Sequence, residues 1–174
     1  MVHESIRQAF AHHLWANLVI IDTVSQLSGA DLRVVEDGTY GSIIGTLRHM
    51  IGADVFYLNI LTNDYSPQFD EESDLAALRA AVLALGERWR DFVSDDLDDR
   101  VVIEEHETDG FRRWAPVSLR LVQAIHHGTD HRSQICTALT RLGAVPPAID
   151  VWAFGISQGS IVEIEPSGER GRET

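Results

Sequence analysis

Apolar residues recur at three- and four-residue steps from the start of the chain. Ile6, Phe10, Leu14, Leu18, Ile21, Val24 and Leu27 mark the buried stripe of a helix over about residues 5–27. Gly29 and Glu36-Asp37-Gly38 break that pattern, and a second helical run extends from about Ser42 to Leu61, ended by residues 63–68 with Pro67. Ser73 stands where an N-cap belongs, and Leu75, Leu78, Ala81, Val82, Leu85, Trp89, Phe92 and Val93 then keep helical spacing, with a charged face opposite. Between Arg100 and Val117 the period changes. Val101-Val102-Ile103 is a β-branched run, Asp109-Gly110 a turn dipeptide and Phe111 to Trp114 a second short strand, so a small hairpin or an extended loop is expected. Pro116 sits in the first turn of a fourth helix, from about Val117 to Leu142, stopped by Gly143 and Pro146-Pro147.

Four such segments predict an all-α fold, an antiparallel four-helix bundle with that hairpin or loop before the last helix. Residues 1–155 make the bundle domain, and residues 156–174, rich in Gly, Ser, Glu and Arg, a tail expected to be partly mobile. Trp15 and Trp89, at helical spacing among aliphatic neighbours, are expected in the core, and Trp152 and Phe154 are expected to fold over one end of the bundle.

A chain of 174 residues, 44% apolar and 24% charged, suits one packed soluble core, and no apolar run approaches the length of a membrane span. The first residues lack the basic start and apolar stretch of a secretory signal, which makes the cytoplasm the expected compartment. Cys136 is the only cysteine, so there is no intrachain disulfide and no multi-cysteine zinc site. The formal charge is −13, and all fourteen basic residues are arginine. Without lysine there is no phosphate-loop lysine, Schiff base or lysine general base. The acidic balance also argues against a nucleic-acid surface.

The chemistry therefore falls to the eight histidines. His127 and His131 lie four apart on the fourth helix, which places both rings on one face, a turn apart and able to share a metal ion. The spacing alone is weak, since chance placement gives about 0.4 such pairs. Context adds to it. The arc around the pair holds Arg120, Gln123, Ala124, Gln134 and Ala138, small or polar residues that would also suit a solvated face. On the second helix His49 sits with Ser42, Gly45, Thr46, Gly52, Ala53, Phe56 and Ile60, the small residues around it leaving room between helices, while Ile44, Leu47, Ile51, Val55 and Leu58 form a separate apolar stripe.

The runs LRHMIGADVFYLNIL at 47–61, HHGTDHRSQI at 126–135 and LWAN at 14–17 resemble the DinB/YfiT-like family of bacterial four-helix metalloproteins over about residues 3–155. In that family one histidine of the second helix and two from an HxxxH on the last bundle helix bind a divalent metal. The resemblance places these roles on His49, His127 and His131. One departure is Ser133, often glycine in the family, which bears on packing more than on ligation. Characterised members include thiol transferases and isomerases that use low-molecular-weight bacterial thiols.

Three neutral imidazoles would leave a divalent ion its full charge and an open position, as in catalytic rather than structural zinc. Water or a thiol arriving there is acidified, so the expectation is a metalloenzyme that activates a thiol or water for transfer to, or hydrolysis of, a small molecule. The alternatives are a metal- or ligand-binding stress-response protein without turnover, and a bundle with incidental histidines. Zinc is the default metal, with nickel, iron and manganese open, and the thiol would be a co-substrate. Neither nucleic acid nor membrane is expected as a partner, and a homodimer is compatible with the apolar faces.

Asp130 and Gln134 are the local candidates to accept the free ring N–H of the ligands or line the pocket. A surface carboxylate competes with that role for Asp130, and helix packing competes with it for Gln134. Arg132 points away from the histidine arc and reads as a structural ion pair, and His126 as an exposed residue. His12 and His13 favour structural or surface roles, and Tyr57 divides between a pocket acid and amphipathic packing.

Overall fold

The computed structural model describes residues 4–65, 68–94, 96–106 and 110–164, and the statements below concern these. Helix α1 (Glu4–Val24) is followed by a 3-10 turn (Asp31–Arg33), α2 (Ile43–Thr62), α3 (Leu75–Phe92), strands β1 (Val102–His106) and β2 (Arg112–Pro116), α4 (Val117–Arg141) and a short α5 (Val151–Ser157). The architecture is thus mostly helical, and the segment before α4 is a hairpin rather than an extended loop. The two strands pair antiparallel, Val102 opposite Pro116 and His106 opposite Arg112. Gly110 takes φ 85°, a conformation open to glycine, while Asp109, its partner in the expected turn, lies outside the described residues.

Local chemistry sets the helix ends. The Ser42 hydroxyl accepts from the Gly45 N–H at the start of α2, and Asn63, at φ 52°, closes it in the left-handed conformation. Pro67, expected to end this helix, lies outside the described residues. The cap of α3 is Asp74 rather than Ser73: its carboxylate accepts the Ala77 N–H at 2.8 Å, and the Ser73 carbonyl is held by Arg48 Nε at 2.9 Å. Pro116 is one residue earlier than expected, at the N-cap of α4, where its missing N–H leaves no helical bond unmade.

Helix α1 packs on α3 and α4, and α2 packs on the same two, so α1 and α2 face each other across the bundle axis. Phe10 and Trp89 lie 4.3 Å apart between ring centroids, and Ile20, Leu47, Met50, Leu58, Leu78 and Leu139 fill the core beside them. Each such side chain contributes roughly 1.5–3 kcal/mol by leaving water.

The bundle is not antiparallel throughout. Arg48 near the start of α2 meets the residues just before α3, and Asn59 near its end meets Arg88 near the end of α3. Helices α2 and α3 therefore run the same way. The cause is the connection between them, long enough to return along the roughly 30 Å of α2. By contrast α2 and α4 are antiparallel, with His49 opposite His127 and Tyr57 opposite Gln123.

Beside the middle of α1, Phe154 is buried with its ring 5.5 Å from that of Trp15, but Trp152 near it is exposed. The expected cap over one end of the bundle is not formed: Phe154 packs on the flank of α1, against residues in the middle of that helix, and Trp152 faces solvent. The expected start of the tail at residue 156 falls within α5, and residues 165–174 lie outside the described residues. No helix among the described residues is long and apolar enough to cross a membrane.

Candidate metal centre

The antiparallel contact of α2 with α4 brings His49 to the HxxxH pair. Nε2 of His49 and Nε2 of His127 lie 3.1 Å apart, and the ring of His131 is 4.8 Å from that of His49 and 4.5 Å from that of His127. One ligand nitrogen from each of the three fits within 4.8 Å of the other two. Two nitrogens bound tetrahedrally to one zinc ion stand about 3.3 Å apart, close to the separation of His49 from His127. The three side chains can hold a metal ion, and a donor set of imidazole alone suits a divalent transition metal.

Each ring also has surroundings that keep it neutral or fixed. Burial, with the His131 and His49 rings as neighbours, holds His127 down to about 4, and the charges of Asp54 and Asp130 oppose this by less. His49 is lowered too, by burial and then by His131. Neutral rings at pH 7 offer lone pairs without proton competition. His131 Nδ1 donates to Gln134 Oε1 at 3.0 Å, which leaves its Nε2 as the lone-pair nitrogen. The same oxygen accepts the Tyr40 N–H at 3.0 Å, so two donors converge on it. Tyr40 in turn stacks on His49, with centroids 4.0 Å apart and planes inclined by 16°.

A cleft of about 660 Å³ opens onto His49 and His127, lined by Tyr40, Phe56, Tyr57 and Phe69 with Glu71 and Glu72. Gly52 forms part of its floor. A Cβ there would stand 3.0 Å from Phe69 Cδ1, so the small residues that accompany His49 admit the segment returning from α2 to α3. His131, 8% exposed, sits behind the other two rings.

A model of the DinB family matches residues 1–166. The chain belongs to the DinB family. No curated protein matches the sequence closely enough to count as a relative.

Within this DinB chain the remaining candidates separate clearly. Gln134 touches the cluster, whereas Asp130 is exposed and, among the described residues, makes no hydrogen bond to either ring of the pair. His126 is exposed. Tyr57 lines the cleft, its ring 6.0 Å from that of His127 and its hydroxyl accepting from Gln123 at 3.3 Å. His12 is half-buried and bonds the Ile149 carbonyl at 2.8 Å. Burial lowers its pKa more than that bond raises it. Ser133 is exposed, away from the ligand rings.

Arg132 departs from expectation. It points away from the cluster as predicted, but into the core, where it is 2% exposed and hydrogen-bonds His13, Asn17 and Thr129 instead of a carboxylate. Burial lowers its pKa to about 10, with the Asp54 charge opposing. His13 is fully buried and bonds Asp54 at 2.8 Å. Sequence reasoning missed Tyr40, Asn17 and Asp54. Two signals pointed to this group: a carboxylate between Ile51 and Val55 on the apolar stripe of α2, and Gly128 in the interior of α4.

Proposed function

We propose that this DinB protein is a metalloenzyme in which His49, His127 and His131 hold one divalent transition metal, and that a thiol or water is activated there for transfer to, or hydrolysis of, a small molecule. The convergence of three imidazoles from two distant helices beside an open cleft carries this reading. When bound, the ion supplies Lewis acidity, lowering the pKa of a thiol or water that reaches it.

The protein's own residues supply the rest. The three rings have no negative charge, so the ion keeps its full positive charge toward an incoming group. Gln134 fixes the ring of His131, and Tyr40 covers one face of His49. Phe56, Tyr57 and Phe69 give the cleft an apolar wall that suits the carbon frame of a small organic substrate. The Tyr57 ring closes that wall beside His127.

The test is elemental analysis of untagged protein, followed by the single variants H49A, H127A and H131A. About one transition-metal ion per chain, largely lost in each variant, is the expected result, and unchanged content in all three would overturn the shared site. Turnover of electrophiles with added low-molecular-weight bacterial thiols, and hydrolysis of small esters and amides, then tests catalysis. Metal retained without turnover across such a panel would favour a binding role.

A further inference from the structure

Behind the histidine cluster, where α1, α2 and α4 meet, lies a second polar group closed off from solvent. His13, Asn17 and Asp54 are fully buried and Arg132 nearly so. Its hydrogen bonds all run one way. Arg132 Nη1 lies 3.2 Å from His13 Nδ1 and 2.7 Å from Asn17 Oδ1, and it can only donate. His13 Nδ1 is then the acceptor, and His13 Nε2 carries the hydrogen given to Asp54 Oδ2 at 2.8 Å. Asn17 Nδ2, at 3.5 Å, points to that same oxygen. Both donors that reach Asp54 thus serve Oδ2, and among the described residues Asp54 Oδ1 is buried without a hydrogen-bond partner.

A bare carboxylate oxygen in a closed core is unfavourable, and its complement is close by. Nδ1 of His127 is also buried and without a partner. The fold brings the segments that bear them together. His13 lies on Gly128, the residue after His127, so tightly that a Cβ there would stand 2.4 Å from His13 Cε1. The Asp54 that His13 holds is therefore set against the turn of α4 that bears His127. The antiparallel register agrees, because Asp54 falls between His49, opposite His127, and Tyr57, opposite Gln123. The Asp54 charge also acts on His127 more strongly than that of exposed Asp130.

We propose that Asp54 is a positioning residue for the histidine cluster, its Oδ1 taking the Nδ1 hydrogen of His127 through one buried water. The water has polar partners on both sides, as a buried water requires. Its effect is to fix the tautomer of His127, leaving Nε2 as the lone-pair nitrogen that faces His49, and to tie the ring to the chain Arg132, His13, Asp54. Each of the three rings then has its own retainer: Tyr40 for His49, Gln134 for His131 and Asp54 for His127. The consequence for metal affinity rests on the three-histidine reading above, whereas the tautomer belongs to the metal-free protein and is tested without it.

The experiment is nitrogen-15 NMR of the histidine rings in metal-free protein near pH 8, with competition titration of cobalt(II) or zinc(II) against a chelator. In the unmodified chain His127 is expected as the Nδ1–H tautomer, and the Nε2–H tautomer would overturn the proposal. In Asp54→Asn, the His13 Nε2–H retains the amide oxygen and turns the NH2 group toward His127, a donor in place of an acceptor. His127 should then switch to the Nε2–H tautomer while His131 keeps its own, and metal affinity should fall about 10–100-fold. A folded Asp54→Asn with unchanged tautomer and affinity overturns it. His13→Gln is the control for structure alone: it breaks the same buried group but leaves Asp54, so stability should drop with the His127 tautomer kept. Loss of that tautomer in His13→Gln as fully as in Asp54→Asn would make Asp54 a packing residue and overturn its positioning role. Should Asp54→Asn not fold, the tautomer of the unmodified chain decides.

Discussion

Gln134 Oε1 receives the Nδ1 hydrogen of His131 from 3.0 Å away, within one turn of the same helix, while also fixing the backbone of Tyr40. One amide oxygen thus orients a buried ring and anchors the loop whose tyrosine covers His49. Gln134→Ala should weaken zinc or cobalt binding about 10-fold or more in a chelator competition, with Gln134→Glu, which retains an acceptor, closer to the unmodified protein. Equal affinity for all three proteins would show that the contact does not bear on the cluster.

Acid should destabilise the metal-free protein through the same rings. His127 is held down to about 4 in the folded state, and His49 and His12 are lowered as well, all chiefly by burial. An unfolded chain takes up protons near pH 6.5, before these folded groups do, so the contribution is fully present above that value. It is lost as pH falls from about 6.5 toward 4. Thermal midpoints across that range should fall with acidity, and His127→Gln should make the fall shallower. A midpoint unchanged down to pH 4 would contradict the burial of these rings.

Gly128 is a place where a better helix former should do harm. Alanine is favoured over glycine in a helix interior by about 1 kcal/mol, yet its methyl group would overlap the His13 ring. Overpacking of this kind costs about 1–3 kcal/mol, so Gly128→Ala should lower stability in urea unfolding. A stabilised variant would mean that His13 does not occupy that space.

Removing Arg132 tests the buried polar group as a unit. Arg132→Met fills similar volume but leaves Asp54 without the cation at the head of its hydrogen-bond chain, and should destabilise by about 3 kcal/mol or more. The double variant with Asp54→Asn should lose less than the two single losses combined, because each change relieves part of the other. Additive losses would show the two residues to be energetically separate.

Much of this was legible along the chain because helical periodicity reports burial directly. The stripes of α1 to α4 appear in the core, and His49, His127 and His131 stand together as the resemblance implied. What the pattern does not encode is direction. A periodic stripe is the same for parallel and antiparallel neighbours, so the shared direction of α2 and α3 shows only in how Arg48 and Arg88 are met at the two ends. The buried group of His13, Asn17, Asp54 and Arg132 was hidden for another reason. The position of Asp54 on an apolar stripe hints at burial, but the partners lie on three helices, and only their meeting across the bundle axis makes them one buried group. Tyr40 lies in a connection without periodicity, where sequence carries no orientation.

The separation of 78 residues between His49 and His127 also constrains how the protein is made. Between residues 49 and 127 a growing chain holds one of the three rings, and the other two arrive only with the last long helix. The cluster is therefore complete only once α4 has docked along α2, so any cation held by all three rings would report finished folding.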